Sequence, residues 1–397
     1  MRKMVCFVLA VALLMTSAVA LADTVINPQE KRGIKLQPAG LNEVEEGISP
    51  TTGLTLSTLY VPDGFSGMAL TGRYLPMMVQ IDNTDGGVGA RAPWGAAYAD
   101  VVYETSLHRK GDTRLSFIFN DLLPDAVGPI RSARLAHVWI REEWGAGFMY
   151  HGRQEYEGTN VLEELRKLGH PWLTDPMIFD NNSGEKAWNR YFLRYQSLAS
   201  PHNVGGSVSG IYANLVPSDY VAPNHTFKFT DETPEGDTAM QVNIAWKADK
   251  EGYVYGSSLI YDIDSNSYLR YMRYGENDLR AWVDKDTEEQ IAFANVIIQF
   301  TTTKFNSVDA PIQLVTNRNY SATEGNADFF MAGKHIAGYW KRDGVTSRTV
   351  YYGPDGEEIS LQRGKTLIVI YPDDDVLTYV NGSGNKSNAG NVSYSDR

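Results

Sequence analysis

Cysteine is almost missing from this chain. Among 397 residues there is one, Cys6, and it lies inside an apolar amino-terminal run. Once that run is removed no thiol is left, which excludes disulfides and thiol chemistry. Positive charge is also short. The formal net charge is -12, so the overall basic footprint of a nucleic-acid binder is absent. Beyond the amino-terminal run no segment approaches the roughly 20 apolar residues of a membrane span. The 7 histidines are scattered, without His-x-x-x-His or Cys-x-x-Cys spacing, so no zinc site is expected. Neither a nucleophile elbow, nor a phosphate-binding glycine loop, nor a dinucleotide fingerprint occurs. Ser183 and Lys186 match Ser-x-x-Lys, but no Lys-Thr-Gly follows. Asp262, Asp264 and Asn266 echo the opening of a calcium loop, yet Ser267 stands where its glycine belongs and Arg273 where its glutamate belongs. No metal and no cofactor is therefore expected.

What is present begins with an export pattern. Arg2 and Lys3 precede the apolar residues 4–20, and Ala20-Leu21-Ala22 is a small-x-small cleavage site before Asp23. Residues 1–22 read as a signal peptide, which places the protein outside the cytoplasm, secreted or at the cell envelope, with no span left in the mature chain. Residues 23–72 have no sustained period and read as a linker with short docked pieces. Residues 381–397 are low in complexity and read as a disordered tail.

The middle of the chain predicts an α+β fold. Strands are expected at 75–83, 98–105 and 114–120, the last with Leu115, Phe117 and Phe119 on one face. A helix is expected over 132–144, with Leu135, Val138 and Trp139 as its inward stripe and Gly145 and Gly147 ending it. A second follows Asn160, with Glu163 placed for a capping box and for an i,i+4 pair with Lys167. A third covers 209–215. Residues 74–222 thus form a mixed α/β layered domain. From 238 to 373 alternation dominates, as in Val242/Ile244/Trp246 and Val296/Ile298/Phe300, and predicts a mostly antiparallel β domain.

Residues 113–134 carry the most chemistry. They read as strand, turn and helix start, with Arg131 and Arg134 in the first helical turn. Cations there cost roughly 0.3–1 kcal/mol each, so a compensating negative group is expected. Arg114 should lie at the same end of the sheet. Guanidinium forks suit phosphate or carboxylate, and either an external anion or an internal partner such as Asp82, Asp100, Glu104 or Asp121 answers the pattern. His151, after an apolar strand and before a glycine, and His202, in Pro201-His202-Asn203, are candidate ligand contacts or general bases. Asp82 is the third catalytic candidate; with Asp100 and Glu104 it could also make an acidic cluster, or simply cap a turn. The ligand-binding set is then Arg114, Arg131, Ser132, Arg134, His151, His202 and Asn203. Trp94, Trp172 and Trp188 lie in loop-like sequence and are candidate sugar contacts.

The stretches PMMVQIDN, ADVVYET, GDTRLSFIF, GPIRSAR and SPHN, in this order, resemble the YerB-like bacterial lipoprotein family, a domain of unknown function numbered 3048. The likeness covers about residues 74–220, and ANVIIQF and GYWKR resemble the family's second domain. It implies an exported, envelope-associated protein without an established activity. The chain departs from the family in lacking a lipidated cysteine at its cleavage site, and in His108–Asp112 where the family tends to have Glu-Gly-Gly.

Together these features predict an envelope protein that binds a phosphate or carboxylate of a wall glycan or peptide through an arginine-lined site. A surface scaffold for another protein and an envelope phosphoryl or glycosyl-phosphate transferase are the alternatives, so whether a reaction accompanies binding stays open.

Overall fold

The computed structural model describes residues 24–26 and 35–380, apart from 44, 70–72, 84–92, 109–110, 173, 224, 249–253, 274–277, 309 and 374–376. The expected signal peptide and tail lie outside the described residues.

The principal elements of the first half are strands β1 (Met77–Asn83), β2 (Val101–Ser106) and β3 (Thr113–Phe119), helix α1 (Leu135–Trp144), β4 (Gly147–Tyr150), α2 (Val161–Lys167), β5 (Ile178–Asp180), β6 (Phe192–Arg194), β7 (Val204–Gly206) and α3 (Val208–Leu215). The second half adds β8 (Gln241–Ala248), β9 (Val254–Asp262), β10 (Ser267–Arg273), β11 (Asn295–Thr301), β12 (Thr323–Met331), β13 (Lys334–Arg342), β14 (Thr349–Tyr352) and β15 (Thr366–Pro372). The fold is α+β and mostly strand.

One 11-stranded sheet crosses both halves. Its order includes β13, β12, β11, β15, β2, β3, β1, β4 and β5 in succession. The join is parallel: β15 pairs with β11 on one side and with β2 on the other, Ile368 facing Tyr103. Residues 238–373 are mostly antiparallel as expected, with β11–β15 as the parallel exception. Strands β2, β11 and β15 are all buried on both faces; in β15 this makes residues 367–371 a continuous apolar run, while β2 and β11 also bury Glu104 and Gln299. A second, antiparallel sheet is built on β8, β9 and β10.

Alternate residues of the central sheet feed two apolar clusters. Met77, Val79 and Ile81 of β1 join Val242, Ile244 and Trp246 of β8 and Val208 and Ile211 of α3. Met78 joins Leu135, Val138, Trp139 and Trp144 of α1 and Leu165 of α2. Full burial of each such side chain contributes about 1.5–3 kcal/mol.

Helix α1 begins at Leu135, three residues later than the sequence suggests, because Arg134 has extended backbone and forms the N-cap. The imidazole of His137 does the capping: its Nδ1 accepts from the Arg134 amide at 2.9 Å. Gly145 ends the helix in the left-handed region at φ 56°. A Cβ at that glycine would stand 2.2 Å from Pro223. In α2, Asn160 accepts from the amides of Leu162 and Glu163. Lys167 lies 3.7 Å from Glu164, one position on from the expected Glu163. Part of the expected linker is docked: Thr51 and Thr52 are buried and donate to Asp100 and Asp121.

Candidate functional site

Residues 127–134 are threaded between three other segments by main-chain hydrogen bonds. The Asp82 amide donates to Pro129 O, and the Arg131 amide returns to Gln80 O, both at 2.9 Å. Ile130 donates to Val204 O, and Val127 and Gly206 exchange bonds at 2.9 Å. On the far side His151 donates to Arg131 O and Ala133 to Gly152 O. The end of β1, the start of β7 and the loop after β4 thus converge on one arginine-bearing segment. Gly128 is required by packing, since a Cβ there would sit 2.3 Å from the Trp94 ring.

Asp82 is the hub of the side chains. It faces Arg114 in the β1–β3 register. Arg114 Nη1 donates to its Oδ1 at 3.0 Å, with both side chains 1% exposed. His202 bonds through Nδ1 to Oδ2 of the same carboxylate. Arg131 Nε lies 3.7 Å from Oδ2 and its Nη1 donates to Pro201 O at 3.3 Å. Asp82 therefore is not a turn cap.

Arg134 differs from its neighbours. Its Nη1 donates only to the carbonyls of Ser132 and Ala133, and it meets no carboxylate among the described residues. Its Nε–H, like that of Arg131, is buried without a hydrogen-bond partner there. Burial, with the repulsion of Arg114 and Arg131, pushes its pKa down to about 9. An arginine in an ion pair would move the other way. It remains cationic near neutral pH.

His151 stands beside this group. Its Nε2 is 3.4 Å from Arg194 and its Nδ1 3.4 Å from Asn181. Burial and Arg194 lower its pKa, which favours the neutral ring. Asn203 accepts from Arg194 Nη1 at 3.0 Å, and Ser132 donates to His151 O at 3.3 Å. The seven expected binding residues and Asp82 form one connected neighbourhood. Neither Arg131 nor Ser132 lies in the first helical turn, so the helix-terminus argument does not apply to them.

Other expectations part company with the structure. Asp82, Asp100 and Glu104 belong to three separate environments. Asp100 is buried against Asp121, with both carboxyl pKa values raised by burial and Asp100 further by Asp121. Glu104 pairs with Arg270 of β10 at 2.9 Å and accepts from the Trp246 indole. No group of three or more His, Cys, Asp or Glu among the described residues could hold a metal. Trp94 is 4% exposed and stacks edge-on against Tyr195, which removes it as a sugar contact. Trp172 lies under the Arg153 guanidinium, and the Trp188 indole donates to Asp180 O. The echo of a calcium loop is the β9–β10 turn, where Asp262 accepts from Ser265.

Sequence reasoning missed Arg194, Asn181 and His137. The first two lie on short, partly exposed segments without a periodic signal. His137 reads as an ordinary helical residue until its ring is seen to bond backwards.

Residues 66–220 match the family model described as the N-terminal domain of a protein of unknown function (DUF3048), and residues 242–368 match its C-terminal domain. A relative from Bacillus subtilis (strain 168), YerB, whose name carries the word lipoprotein, is 24% identical over 301 residues, which is 74% of this chain and 81% of the relative. The crystal structure of the Bacillus subtilis YerB protein aligns with a TM-score of 0.61 at 20% identity, over 82% of this chain and 96% of that one. At that identity the likeness concerns the fold alone. No helix among the described residues is long and apolar enough to cross a membrane.

Proposed function

The chain belongs to the DUF3048 family of proteins of unknown function, and from that premise we propose that it is an exported envelope protein that binds an anionic group, phosphate or carboxylate, of a wall glycan or peptide. The ligand groups are Arg131 and Arg134, with His202, His151, Ser132 and Asn203 around them. Arg114 and Asp82 form the buried support. In the same reading, residues 74–222 are a layered α/β unit carrying the site, and residues 238–373 brace it through contacts such as that of Arg342 with Glu143.

The observation that carries this reading is Arg134, whose guanidinium donates only to the Ser132 and Ala133 carbonyls and meets no carboxylate among the described residues. Burying unpaired cations is costly unless something offsets them. Bidentate N–H forks suit an oxyanion. Export is supported by the basic-then-apolar start of the chain and by the name of the Bacillus relative.

Thermal-shift screening of the purified protein against inorganic phosphate, sugar phosphates and wall peptides tests the proposal. One or more of these ligands should raise Tm. Arg131→Ala should remove the shift while its own ligand-free Tm stays close to wild type. A shift of equal size in Arg131→Ala would refute the assignment.

A further inference from the structure

We propose that a second binding site lies at the opposite end of the central sheet from the arginines, in a cavity that takes a short neutral saccharide. It is independent of the anion-binding reading above.

The cavity forms where the two halves of the chain meet. Residues 52–62 and 97–100 of the first half face residues 265–267, 289–294 and 363–365 of the second, around a space of about 650 Å3. Small-molecule sites fall within about 300–1,000 Å3. The sheet register sets the distance from the arginine site. Asp100 precedes β2 and lines the cavity, while Thr105 of β2 pairs with Arg114. About five residues of strand, roughly 17 Å, separate them.

Part of the lining is apolar. Leu54, Leu59, Tyr98 and Ile291 supply it, and the Phe65 ring holds that of Tyr98 at a centroid distance of 4.8 Å. Tyr60 also lines the cavity, yet it is 68% exposed, so its ring stands at the mouth. Its hydroxyl donates to Glu289 Oε1 at 2.9 Å, which ties the docked linker to the second half. The C–H face of a pyranose packs on such surfaces.

The rest of the lining is polar and keeps hydrogen-bonding capacity. Asp100 Oδ2 accepts from Thr51 Oγ1 and from the amides of Asn120 and Asp121. Its Oδ1 has no partner among the described residues, and the same holds for Glu289 Oε2 and the Tyr98 hydroxyl. Gln290 Nε2 donates to Arg270 O at 2.9 Å, which leaves its side-chain carbonyl. Lys365 Nζ donates to Ala97 O and keeps two further hydrogens. Groups of both charge signs thus line one space, so a strongly charged ligand meets a like charge whichever its sign. A hydroxyl both donates and accepts. A polyhydroxylated ring with an apolar face therefore satisfies this lining better than an anion or a cation.

The probes are three uncharged disaccharides: N,N′-diacetylchitobiose, cellobiose and maltose. The N-deacetylated, cationic form of the first and a digalacturonate are the charged comparators. Isothermal titration of the full chain should show saturable binding of at least one neutral sugar. Both charged comparators should bind about tenfold or more weakly than that sugar. In wild type, the Ile291 δ1-methyl resonance should shift on adding the sugar and show NOEs to its ring protons. Tyr60→Ala removes an exposed ring and should weaken binding about two- to tenfold, with Tyr60→Phe close to wild type. Inorganic phosphate should not displace the sugar. A silent Ile291 methyl, displacement by phosphate or full affinity in Tyr60→Ala overturns the assignment to this cavity. A charged comparator that matches the neutral sugar overturns the preference for an uncharged ligand. Failure of all three disaccharides to bind overturns the proposal and leaves the arginine site untouched.

Discussion

Arg114 donates to Asp82 across 3.0 Å with both side chains 1% exposed, and His202 and Arg131 approach the same carboxylate. A buried pair contributes little net stability, but breaking one strands the survivor. Asp82→Ala removes the buried carboxylate to which Arg114 donates. It should lower unfolding stability by about 3–5 kcal/mol, read from the urea midpoint at constant m. A loss under about 1 kcal/mol, the range of exposed pairs, would mean that Asp82 does not hold the site.

Glu143 fastens α1 to the second half of the chain. It accepts from His225 and from the Thr349 amide, each at 2.6 Å, and faces Arg342 at 3.2 Å. Burial alone would raise its pKa, but Arg342 and His225 outweigh it and hold it at about 2. A depressed carboxyl stabilises the fold above its unfolded value of about 4.5. That contribution fades as pH falls toward 2. Glu143→Gln should therefore cost stability at pH 7 and much less near pH 2–3. Parallel acid-unfolding curves for the two proteins would contradict this.

His170 acts in the opposite direction. Hydrogen bonds to Asp175 and then Glu142 raise its pKa to about 9, tying the α2–β5 connection to the end of α1. A raised histidine stabilises fully below its unfolded value of about 6.5, and the effect disappears as pH climbs through 9. The stability gap between wild type and His170→Gln should be widest near pH 6 and narrow toward pH 9.5. A gap that widens with pH would show that the imidazolium is not the stabilising species.

Gly128 admits the Trp94 ring, and Gly128→Ala would force a Cβ to 2.3 Å from it. Overpacking of this kind costs about 1–3 kcal/mol. Trp94→Leu in the same chain should recover part of the loss. Additive losses in the double variant would show that the two residues do not share the space.

The arginines of residues 128–134 were legible because two cations in a short motif demand a partner. Asp82 stood among four candidate acids for these arginines and does pair with Arg114, but strand alternation, which gives the face of a residue and not its neighbour on the next strand, could not choose among them. His202 lies 120 positions from Asp82, beyond any local pattern; only the family resemblance drew it in. The helix was expected to open at Ser132, yet Arg134 is its N-cap, the ring of His137 bonds back to the Arg134 amide, and the helix starts at Leu135. Trp94 has loop-like neighbours and was read as exposed, because nothing in its own segment reports the glycine that receives it. Strands β1, β2, β3, β8 and β11 were found by position. The parallel joins of β15 were not, because burial of both faces erases the period-two signal.

The claim that Arg131 and Arg134 hold an anion is tested most directly by a crystal soaked in selenate and measured at the selenium edge. The account predicts an anomalous peak within hydrogen-bonding reach of both guanidinium groups, with Arg114 still on Asp82. Full occupancy elsewhere with that position empty, or Arg131 and Arg134 both closed onto protein carboxylates, would contradict it.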